Sequence, residues 1–353
     1  MIRIAENLPE NTAALVYTPI NRRYLTRFES SLGYLLISKN DGCLYVDGRY
    51  ILAAKQTVKT CRVELFTKAA DSIKEFLKRN NIKKLYCEDS LTVAELKRFK
   101  EMLFEIEVTA DCDLRHDIEI LRQTKTDYEV DCIIKAQRIS EKSFEDTLNF
   151  IKVGVTEREI AAELEYRMKR YGSEMPSFDT IAVSGAKSAM PHGVPDGKVI
   201  EAGDFLTMDF GAVYEGYHSD MTRTVAVGFA TDKMQEVYNT VLLAQSEAEK
   251  AVKAGVKCSD VDKAARNVID NKGYGNYFTH STGHGVGLEI HEAPTVSFLS
   301  EQMLNVGNII SDEPGIYIEN EFGVRIEDML LVTENGSRIL TNCKKSLIIL
   351  YKE

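Results

Sequence analysis

Four acidic residues and one histidine have the residue types and the pairing that a site for two metal ions requires. They are Asp209, Asp220, His284, Glu313 and Glu327. Carboxylates with one imidazole suit manganese, cobalt, iron or zinc, whereas all-oxygen sites suit calcium or magnesium. Two divalent ions would cancel the charge of four carboxylates, and such a metal pair can activate a water molecule and polarise a carbonyl group. This ligand set therefore indicates hydrolytic chemistry.

The first pair of acids lies in a predicted β-hairpin. Apolar and β-branched residues alternate on both sides of a turn at positions 214–216, in the segment FLTMDFGAVYEGYHSDMTRTVAVG. This alternation is typical of two paired strands. If the hairpin folds symmetrically, Asp209 faces Asp220. Like charges that face each other across an antiparallel pair are destabilising unless something neutralises them.

The second pair repeats this arrangement in the segment NIISDEPGIYIENEFGVRIEDMLLVT. Symmetrical folding about Asn320 sets Glu313 opposite Glu327. Strand alternation should turn the side chain of Asp312, which precedes Glu313, to the other face. Arg325 should share the face of Glu327, either as a countercharge or as a clamp for a substrate carboxylate. Two hairpins that each oppose two acids indicate cations between them.

The composition sets limits on the class of protein. The chain has 353 residues, 44% apolar and 28% charged, and is long enough for two domains. Its formal charge of -10 argues against binding to nucleic acid or to an anionic membrane, since both require a basic surface. No long apolar stretch or signal peptide is evident, so we expect a cytoplasmic protein. Seven cysteines occur without CxxC spacing, which is typical of reduced thiols.

The amino-terminal third predicts a small α/β domain. Between residue 13 and about residue 110, charged helical stretches alternate with the strand-like runs AALVYT, GYLLIS, CRVELF and KKLYCE. The chain crosses to a new pattern between Arg115 and Thr126. We therefore expect one domain over residues 1–120 and a second over residues 121–353.

The second domain shows two similar halves. In the first half, capping boxes at Thr126 and Thr156 predict two helices ahead of the first acidic hairpin. In the second half, a helix from about residue 231 and another from Ser259, with Asp262 as its capping partner, precede the second hairpin. The matching acids of the two hairpins lie 104 and 107 residues apart. The sequence thus predicts a pseudo-twofold α+β domain with the metals between its halves.

The histidines cluster in the same region. Five of the six lie between positions 192 and 291. The glycines around His284 disfavour a helix, so we expect this residue on a strand or turn beside the carboxylates. His192 lies on a loop punctuated by proline and glycine. His192, His280 and His291 are candidates for substrate contact, although each also suits a structural role.

Other motifs of enzyme chemistry are missing. The segment GHGVG lacks the third glycine of the dinucleotide fingerprint, and no GxxxxGK[ST] phosphate loop, HExxH zinc motif or GxSxG elbow occurs. Nucleotide binding and a serine nucleophile are therefore disfavoured.

The chain resembles the metallopeptidases with the pita-bread fold, in the branch of Xaa-Pro aminopeptidases, Xaa-Pro dipeptidases (prolidases), methionine aminopeptidases and creatinase. The resemblance rests on the runs MDFGAVYEGYHSDMTRTV, HSTGHGVGLEIHE, DEPGIYI and GVRIEDMLLVTENG. It covers residues 122–345 and extends more loosely to the amino-terminal domain. It implies a small creatinase-type α/β domain followed by a pseudo-twofold pita-bread α+β catalytic domain. One departure is Asp312, where an apolar residue is more usual.

The resemblance implies a role for each candidate residue. It divides the ligands between two metals: Asp209 on one, His284 and Glu313 on the other, and Asp220 and Glu327 on both. Glu313 would also accept the proton of the bridging water. Proton handling and substrate contact would fall to His192, His280, His291, Arg325 and Tyr317.

The resemblance also implies an activity, namely hydrolysis of the bond between an N-terminal residue and proline by a metal-bridging hydroxide. The full amino-terminal domain and Arg325 favour proline over methionine specificity. The expected cofactors are two divalent ions, Mn²⁺ first, with Co²⁺, Zn²⁺ or Fe²⁺ as alternatives. The expected partners are small peptides with proline in second place and a second copy of the chain in a homodimer. Alternatives are a methionine aminopeptidase-like exopeptidase, an inactive binding protein of the same fold and a dinuclear phosphoesterase.

Overall fold

A computed structural model describes residues 1–351 of the chain, apart from the side chains of Ile2 and Cys112. The chain divides into two units, Met1–Arg122 and Gln123–Glu353. The cysteines that the structure describes are free thiols, and Cys112 lies outside that description. Within residues 1–351, no helix joins the length and the apolar character that crossing a membrane requires.

The first unit is built on a mixed sheet. Its strands in the described part of the chain are β1 (Thr12–Val16), β2 (Gly33–Ser38), β3 (Gly42–Val46), β4 (Arg62–Leu65), β5 (Lys84–Glu88) and β6 (Glu107–Asp111). Their order is β4-β3-β2-β1-β5-β6, and β2 runs antiparallel to both neighbours while the other pairs are parallel. The helices are α1 (Ile2–Asn7), α2 (Pro19–Thr26), α3 (Ile51–Thr57), α4 (Ala69–Arg79), α5 (Val93–Met102) and α6 (Cys112–Gln123).

Both faces of this sheet are buried. Leu15 and Leu36 enter one hydrophobic cluster, whereas Val16 and Leu35, their neighbours along β1 and β2, enter another. Burial of both faces explains why these strands read as almost continuous apolar runs. The predicted α/β domain is confirmed. Strands β3 and β6 were not among the predicted runs.

Over residues 123–351, the second unit contains two sheets and two short ladders. Its helices are α7 (Asp127–Thr147), α8 (Glu157–Arg170), α9 (Asp232–Ala251) and α10 (Cys258–Asn271). Its first strands are β7 (Ile181–Ser184), β8 (Phe205–Phe210), β9 (Val213–Tyr214), β10 (Tyr217–His218) and β11 (Met221–Val227). The later strands are β12 (Gly283–Gly285), β13 (Glu292–Val296), β14 (Ile309–Asp312), β15 (Gly315–Ile318), β16 (Phe322–Arg325), β17 (Asp328–Val332), β18 (Ser337–Ile339) and β19 (Ile349–Leu350).

The order of elements repeats within this unit. Helices α7 and α8 precede the sheet β19-β11-β8-β7, and helices α9 and α10 precede the sheet β13-β12-β14-β17-β18. Each half has its own apolar core, with Leu164 and Phe210 in the first and Val261 and Ile310 in the second. The predicted pseudo-twofold α+β architecture is confirmed.

Two of the predicted capping boxes are present. The hydroxyls of Thr126 and Thr156 accept from the backbone N–H groups three residues on, and Glu129 and Glu159 bond back to the cap residues. The capping role predicted for Asp262 is wrong. Helix α10 begins at Cys258 without a side-chain cap, and Asp262 is buried and turned inward.

The register of the first hairpin differs from the prediction. Glu215 and Gly216 both have positive φ angles, of 50° and 79°, as a two-residue hairpin turn of type I′ requires. This turn pairs Asp209 with Thr222 and leaves Asp220 two residues away. Because strand side chains alternate, Asp209 and Asp220 still share one face as diagonal neighbours. The prediction of directly opposed acids was therefore wrong, whereas the prediction of acids that converge was right.

The second hairpin has the predicted register. Ladder β14–β17 pairs Asp312 with Asp328, and ladder β15–β16 pairs Gly315 with Arg325. The same offset sets Glu313 opposite Glu327, at the break between the two ladders. Neither acid is paired in a ladder, and the backbone N–H of Glu327 instead donates to the Thr222 carbonyl of the first hairpin at 3.2 Å.

Arg223 on β11 joins the two halves from within. Its guanidinium donates to the Glu327 carbonyl at 2.5 Å, to Asp328 Oδ1 at 2.7 Å and to the carbonyls of Cys343 and Lys344 at 2.9 and 3.1 Å. The residue is 1% exposed. This fork holds the strand after Asp220 against the backbone of Glu327.

We expect Arg223→Met to lower the free energy of unfolding of the second unit by about 3–5 kcal/mol, because the buried carboxylate of Asp328 loses its arginine partner. The measurement is urea denaturation followed by circular dichroism. Lys233→Met is the matched control, since Lys233 forms a largely exposed pair with Glu321 and should change the free energy of unfolding little. Equal midpoints for both variants would contradict this account of Arg223.

Candidate metal centre

The three acids Asp209, Asp220 and Glu327 form a tight cluster. One carboxylate oxygen of each lies within 4.8 Å of the others. Asp209 is on β8, Asp220 directly precedes β11 and Glu327 directly precedes β17. Acids distant in the chain therefore meet because the two hairpins face each other.

His284 brings Glu313 into the same cluster. The Nε2 atom of His284 lies 3.6 Å from Asp220 Oδ2 and 3.5 Å from Glu313 Oε1. Its Nδ1 atom lies 3.1 Å from the Gly285 carbonyl, which can only accept, so Nδ1 carries the hydrogen. Burial lowers the pKa of His284 to about 4, with His291 contributing. The imidazole is thus neutral at pH 7, with the Nε2 lone pair directed at the acids, as a metal ligand requires.

Burial and mutual repulsion make these acids hard to ionise. Burial raises the pKa of Asp220 well above its ordinary value, and Asp209 and Glu313 raise it further. Burial likewise raises the pKa of Glu327, with Asp220 and Glu313 as the next causes. Burial raises the pKa of Glu313 to about 8, against the opposing effect of Arg325. A cation at this place would reverse these shifts.

The residues present fit divalent cations. Asp209 Oδ1 and Glu327 Oε1 are buried and have no hydrogen-bond partner within residues 1–351. The other oxygens of these two acids are bonded, Asp209 Oδ2 to Arg325 at 2.5 Å and Glu327 Oε2 to Thr222 Oγ1 at 2.8 Å. Buried oxygens without donors are costly unless they coordinate a metal. The carboxylate-rich donor set with one imidazole matches hard to borderline divalent ions.

Hydrogen bonds to protein groups hold the guanidinium of Arg325 in place. Besides Asp209, its guanidinium donates to the Tyr317 hydroxyl at 2.8 Å, to Thr222 Oγ1 at 3.0 Å and to the Pro191 carbonyl at 3.3 Å. It is 3% exposed. Of the two roles that the sequence left open, these contacts favour the countercharge over the clamp for a substrate carboxylate.

Tyr317 continues this chain of hydrogen bonds to His280. The Nδ1 atom of His280 lies 2.8 Å from the Ser281 carbonyl, so the Nε2 atom accepts from the Tyr317 hydroxyl at 2.8 Å. Burial lowers the pKa of His280 to about 4, with Arg325 as the next cause. Both nitrogens of the neutral imidazole are therefore engaged within the protein.

The two other candidate histidines, His192 and His291, are exposed. The ring of His291 lies 4.1 Å from the ring of His284, centroid to centroid. His192 is exposed on its loop and lies close enough to His280 to affect its protonation. His291 thus lies beside the ligand His284 and His192 lies near His280, and both residues are exposed.

Two residues at the site were missed in the sequence. Thr222 donates to Glu327 and accepts from Arg325, and Ser311 donates to Glu313 Oε1 at 3.4 Å while accepting from the His284 backbone at 3.1 Å. Each lies two residues from a ligand, and therefore on the same strand face. That spacing was the available signal.

We expect metal-free protein to lose thermal stability as the pH rises from 6.5 to 9. Glu313, Asp220 and Glu327 have folded pKa values above their unfolded ones, so their contribution is present at low pH and is lost as the pH rises through the folded pKa, about 8 for Glu313. His284 gives an opposing slope only at the start of this range, because its unfolded form, with an ordinary pKa of 6.5, loses its remaining charge within about one pH unit above that value.

The measurement is the melting temperature of chelator-treated protein across this pH range, with and without saturating Mn²⁺. Added metal should flatten the curve, because a bound cation favours the charged carboxylates. A flat curve for the metal-free protein would contradict the assignment of these acids to one repelling cluster.

Comparison with known proteins agrees with this geometry. Residues 131–334 match the model of metallopeptidase family M24, and residues 10–124 match that of the creatinase/prolidase N-terminal domain. A Xaa-Pro dipeptidase of Pyrococcus furiosus is 41% identical over 350 residues, which is 98% of each chain.

Solved structures show the same relationship. The Xaa-Pro dipeptidase from Bacillus anthracis is 43% identical with a TM-score of 0.92, over 96% of this chain and 95% of that one. The X-Pro aminopeptidase from Thermotoga maritima is 37% identical with a TM-score of 0.91, over 96% of this chain and 97% of that one. The predicted creatinase-type and pita-bread architecture is confirmed. With a family model that matches more than half of its length around an acidic site of this geometry, the chain belongs to metallopeptidase family M24.

Proposed function

We propose that this metallopeptidase hydrolyses the bond between an N-terminal residue and proline in small peptides. The observation that carries the proposal is the convergence of five ligand residues in a chain similar over nearly its whole length to enzymes named for Xaa-Pro cleavage. A binding protein without catalysis would have no need of this complete ligand set. The alternative of methionine specificity has no comparable support.

The proposed domain boundaries follow the two family matches. Residues 1–120 would form the creatinase-like domain and residues 121–353 the catalytic domain. The capping box at Thr126 begins the first helix of the catalytic part, which supports a boundary just before it. The expected homodimer stays a prediction, to be measured by analytical ultracentrifugation.

The metal ions would be held by the five converging residues. We assign Asp209 to one ion, His284 and Glu313 to the other, and Asp220 and Glu327 to both. Mn²⁺ is the proposed ion, with Co²⁺, Zn²⁺ and Fe²⁺ as alternatives, since mixed carboxylate and imidazole sites accept them all. When bound, the ions would lower the pKa of a water molecule and polarise the scissile carbonyl.

Glu313 is proposed as the general base. Its backbone N–H donates to the Thr282 carbonyl at 2.8 Å, and its side chain is partly accessible at 18%. Its Oε1 atom lies 3.5 Å from His284 Nε2, so the carboxylate lies where it can reach a water molecule held by the ions. The carboxylate would accept the proton of the attacking water and pass it toward the leaving nitrogen of proline.

The histidines divide into two kinds. His291 is exposed beside His284, so we assign to it the stabilisation of the developing oxyanion. His192 is exposed on a loop and is assigned to substrate binding. His280 is occupied by Tyr317 and Ser281, so it would act by holding Tyr317 against the substrate.

Replacing Glu313 by Gln should lower kcat on an Xaa-Pro peptide by at least about 100-fold, because the amide cannot accept the proton. The circular dichroism spectrum should stay that of the wild type. Glu319→Gln, which alters an exposed acid six residues along the chain, is the control and should keep full activity. Wild-type turnover in Glu313→Gln would refute its role as the base.

Substrate preference can be measured directly with Ala-Pro, Ala-Pro-Ala, Met-Ala and p-nitrophenyl phosphate, each with Mn²⁺ and with Co²⁺. We expect cleavage of the proline peptides and none of the phosphate ester. Cleavage of Ala-Pro alone would define a dipeptidase, and cleavage of Ala-Pro-Ala an aminopeptidase. Preference for Met-Ala, or no cleavage of any peptide, would overturn the proposal.

A further inference from the structure

Two buried acids outside the ligand set form hydrogen bonds with the segments that carry His192 and His280. Glu157 begins helix α8, and Asp262 lies on helix α10. Both are 0% exposed. Each accepts from the N–H and the hydroxyl of one Ser or Thr and forms an ion pair with a basic side chain. The same device thus occurs on the second helix of each half.

Glu157 holds both ends of the loop that carries His192. One oxygen, Oε1, accepts from the N–H of Ser184 at 2.7 Å and from its hydroxyl at 3.0 Å, where the loop begins. The other oxygen, Oε2, accepts from Lys187 Nζ at 2.7 Å and from the N–H of Asp196 at 3.4 Å, where the loop ends. A single carboxylate therefore closes the loop 185–196 at its base.

Asp262 holds the segment that carries His280. Its Oδ1 atom accepts from the N–H of Thr282 at 3.1 Å and from its hydroxyl at 2.9 Å. Arg266, one turn along α10, pairs with Asp262 and also donates to the carbonyls of Phe278 and His280 at 3.0 and 2.9 Å. The segment 278–282 is therefore tied to the helix at both ends.

The second clamp reaches the proposed base. The carbonyl of Thr282 accepts from the backbone N–H of Glu313 at 2.8 Å. Asp262, Thr282 and Glu313 thus form one line of hydrogen bonds from helix to active site. Because Ile160 and Val261 anchor the two helices in their apolar cores, each acid is fixed to a rigid element.

Burial gives these acids their effect. A buried carboxylate is costly unless several donors surround it, and bonds from charged and backbone donors are then short and strong. Asp209 and His284 lie on paired strands, whereas loop 185–196 and segment 278–282 have no continuous ladder of their own. We propose that Glu157 and Asp262 are positioning residues, which set the place of the His192 loop and of the His280–Thr282 segment relative to the metal centre.

The kinetic consequences of this proposal rest on the proposed function. Loss of Glu157 and loss of Asp262, the two clamps of the site, should change different kinetic constants. Glu157→Gln puts an amide N–H₂ among donors and frees the His192 loop, so KM for an Xaa-Pro peptide should rise about 10- to 100-fold with a smaller change in kcat. Asp262→Asn loosens Thr282 and with it Glu313, so kcat should fall by a similar factor with a smaller change in KM.

A second readout is independent of activity. Hydrogen exchange measured by mass spectrometry should rise in residues 184–196 for Glu157→Gln and in residues 278–282 for Asp262→Asn, while the other segments keep wild-type rates. Ser184→Ala and Thr282→Val, which remove one donor each, should give weaker shifts in the same places. They also serve if a charge-removing variant fails to fold.

The controls are Glu165→Gln and Asp260→Asn, which change exposed acids on the same two helices. Both should match the wild type in KM, kcat and exchange. Metal content should stay at the wild-type level in Glu157→Gln and in the two controls, because none of these residues bonds to a proposed ligand.

The outcomes separate the two proposals. A wild-type protein that cleaves no Xaa-Pro peptide would overturn the proposed function, and the exchange measurement would still test the clamps. An active wild type whose clamp variants show unchanged kinetics and unchanged local exchange would overturn the positioning role. A rise in exchange spread over the whole second unit would also overturn it, since that indicates a merely structural contribution.

Discussion

Repulsion among buried carboxylates is the constraint on which this site depends. Asp209, Asp220, Glu313 and Glu327 converge within a few ångströms in a setting that excludes most water. Without cations, burial raises the pKa of several of them and two of their oxygens are left without donors. The fold thus holds a cluster that is unfavourable alone and that divalent metal ions would stabilise. A preorganised site of this kind has already met the cost of assembling its ligands by folding.

Two arginines and two further acids hold the parts of this site in place. Arg325 supplies the internal countercharge through Asp209, and Arg223 holds the backbone of Glu327 against β11. Glu157 and Asp262 occupy corresponding helices and hold the segments that approach the centre from the substrate side. The proposed metal ligands lie on strands or directly beside them, whereas His192 and His280 lie on segments held by buried acids, so a rigid centre is combined with accessible loops.

Several features could be predicted because they depend on local pattern. Alternation along the strands placed Arg325 on the face of Glu327, and the symmetry of the second hairpin set Glu313 opposite Glu327, as the paired ladders confirm. The capping boxes at Thr126 and Thr156 fixed two helix starts. The predicted register of the first hairpin was wrong, because that register depends on the backbone angles of Glu215 and Gly216, which composition alone does not reveal. The capping role predicted for Asp262 was wrong, because its hydrogen-bond partner, Thr282, is 20 residues away.

The sequence by itself determined the kinds of ligand, their pairing on two hairpins and the repeat of helix, helix and hairpin, since these follow from short-range periodicity and turn chemistry. Only the tertiary structure decided which oxygens meet, that Arg325 is a countercharge, that His280 is bound to Tyr317 and that Glu157 and Asp262 reach distant loops. Those facts depend on how two hairpins and two helices pack across the domain. Contacts between residues more than a hundred positions apart, such as Asp209 and Arg325, leave no local pattern in the chain.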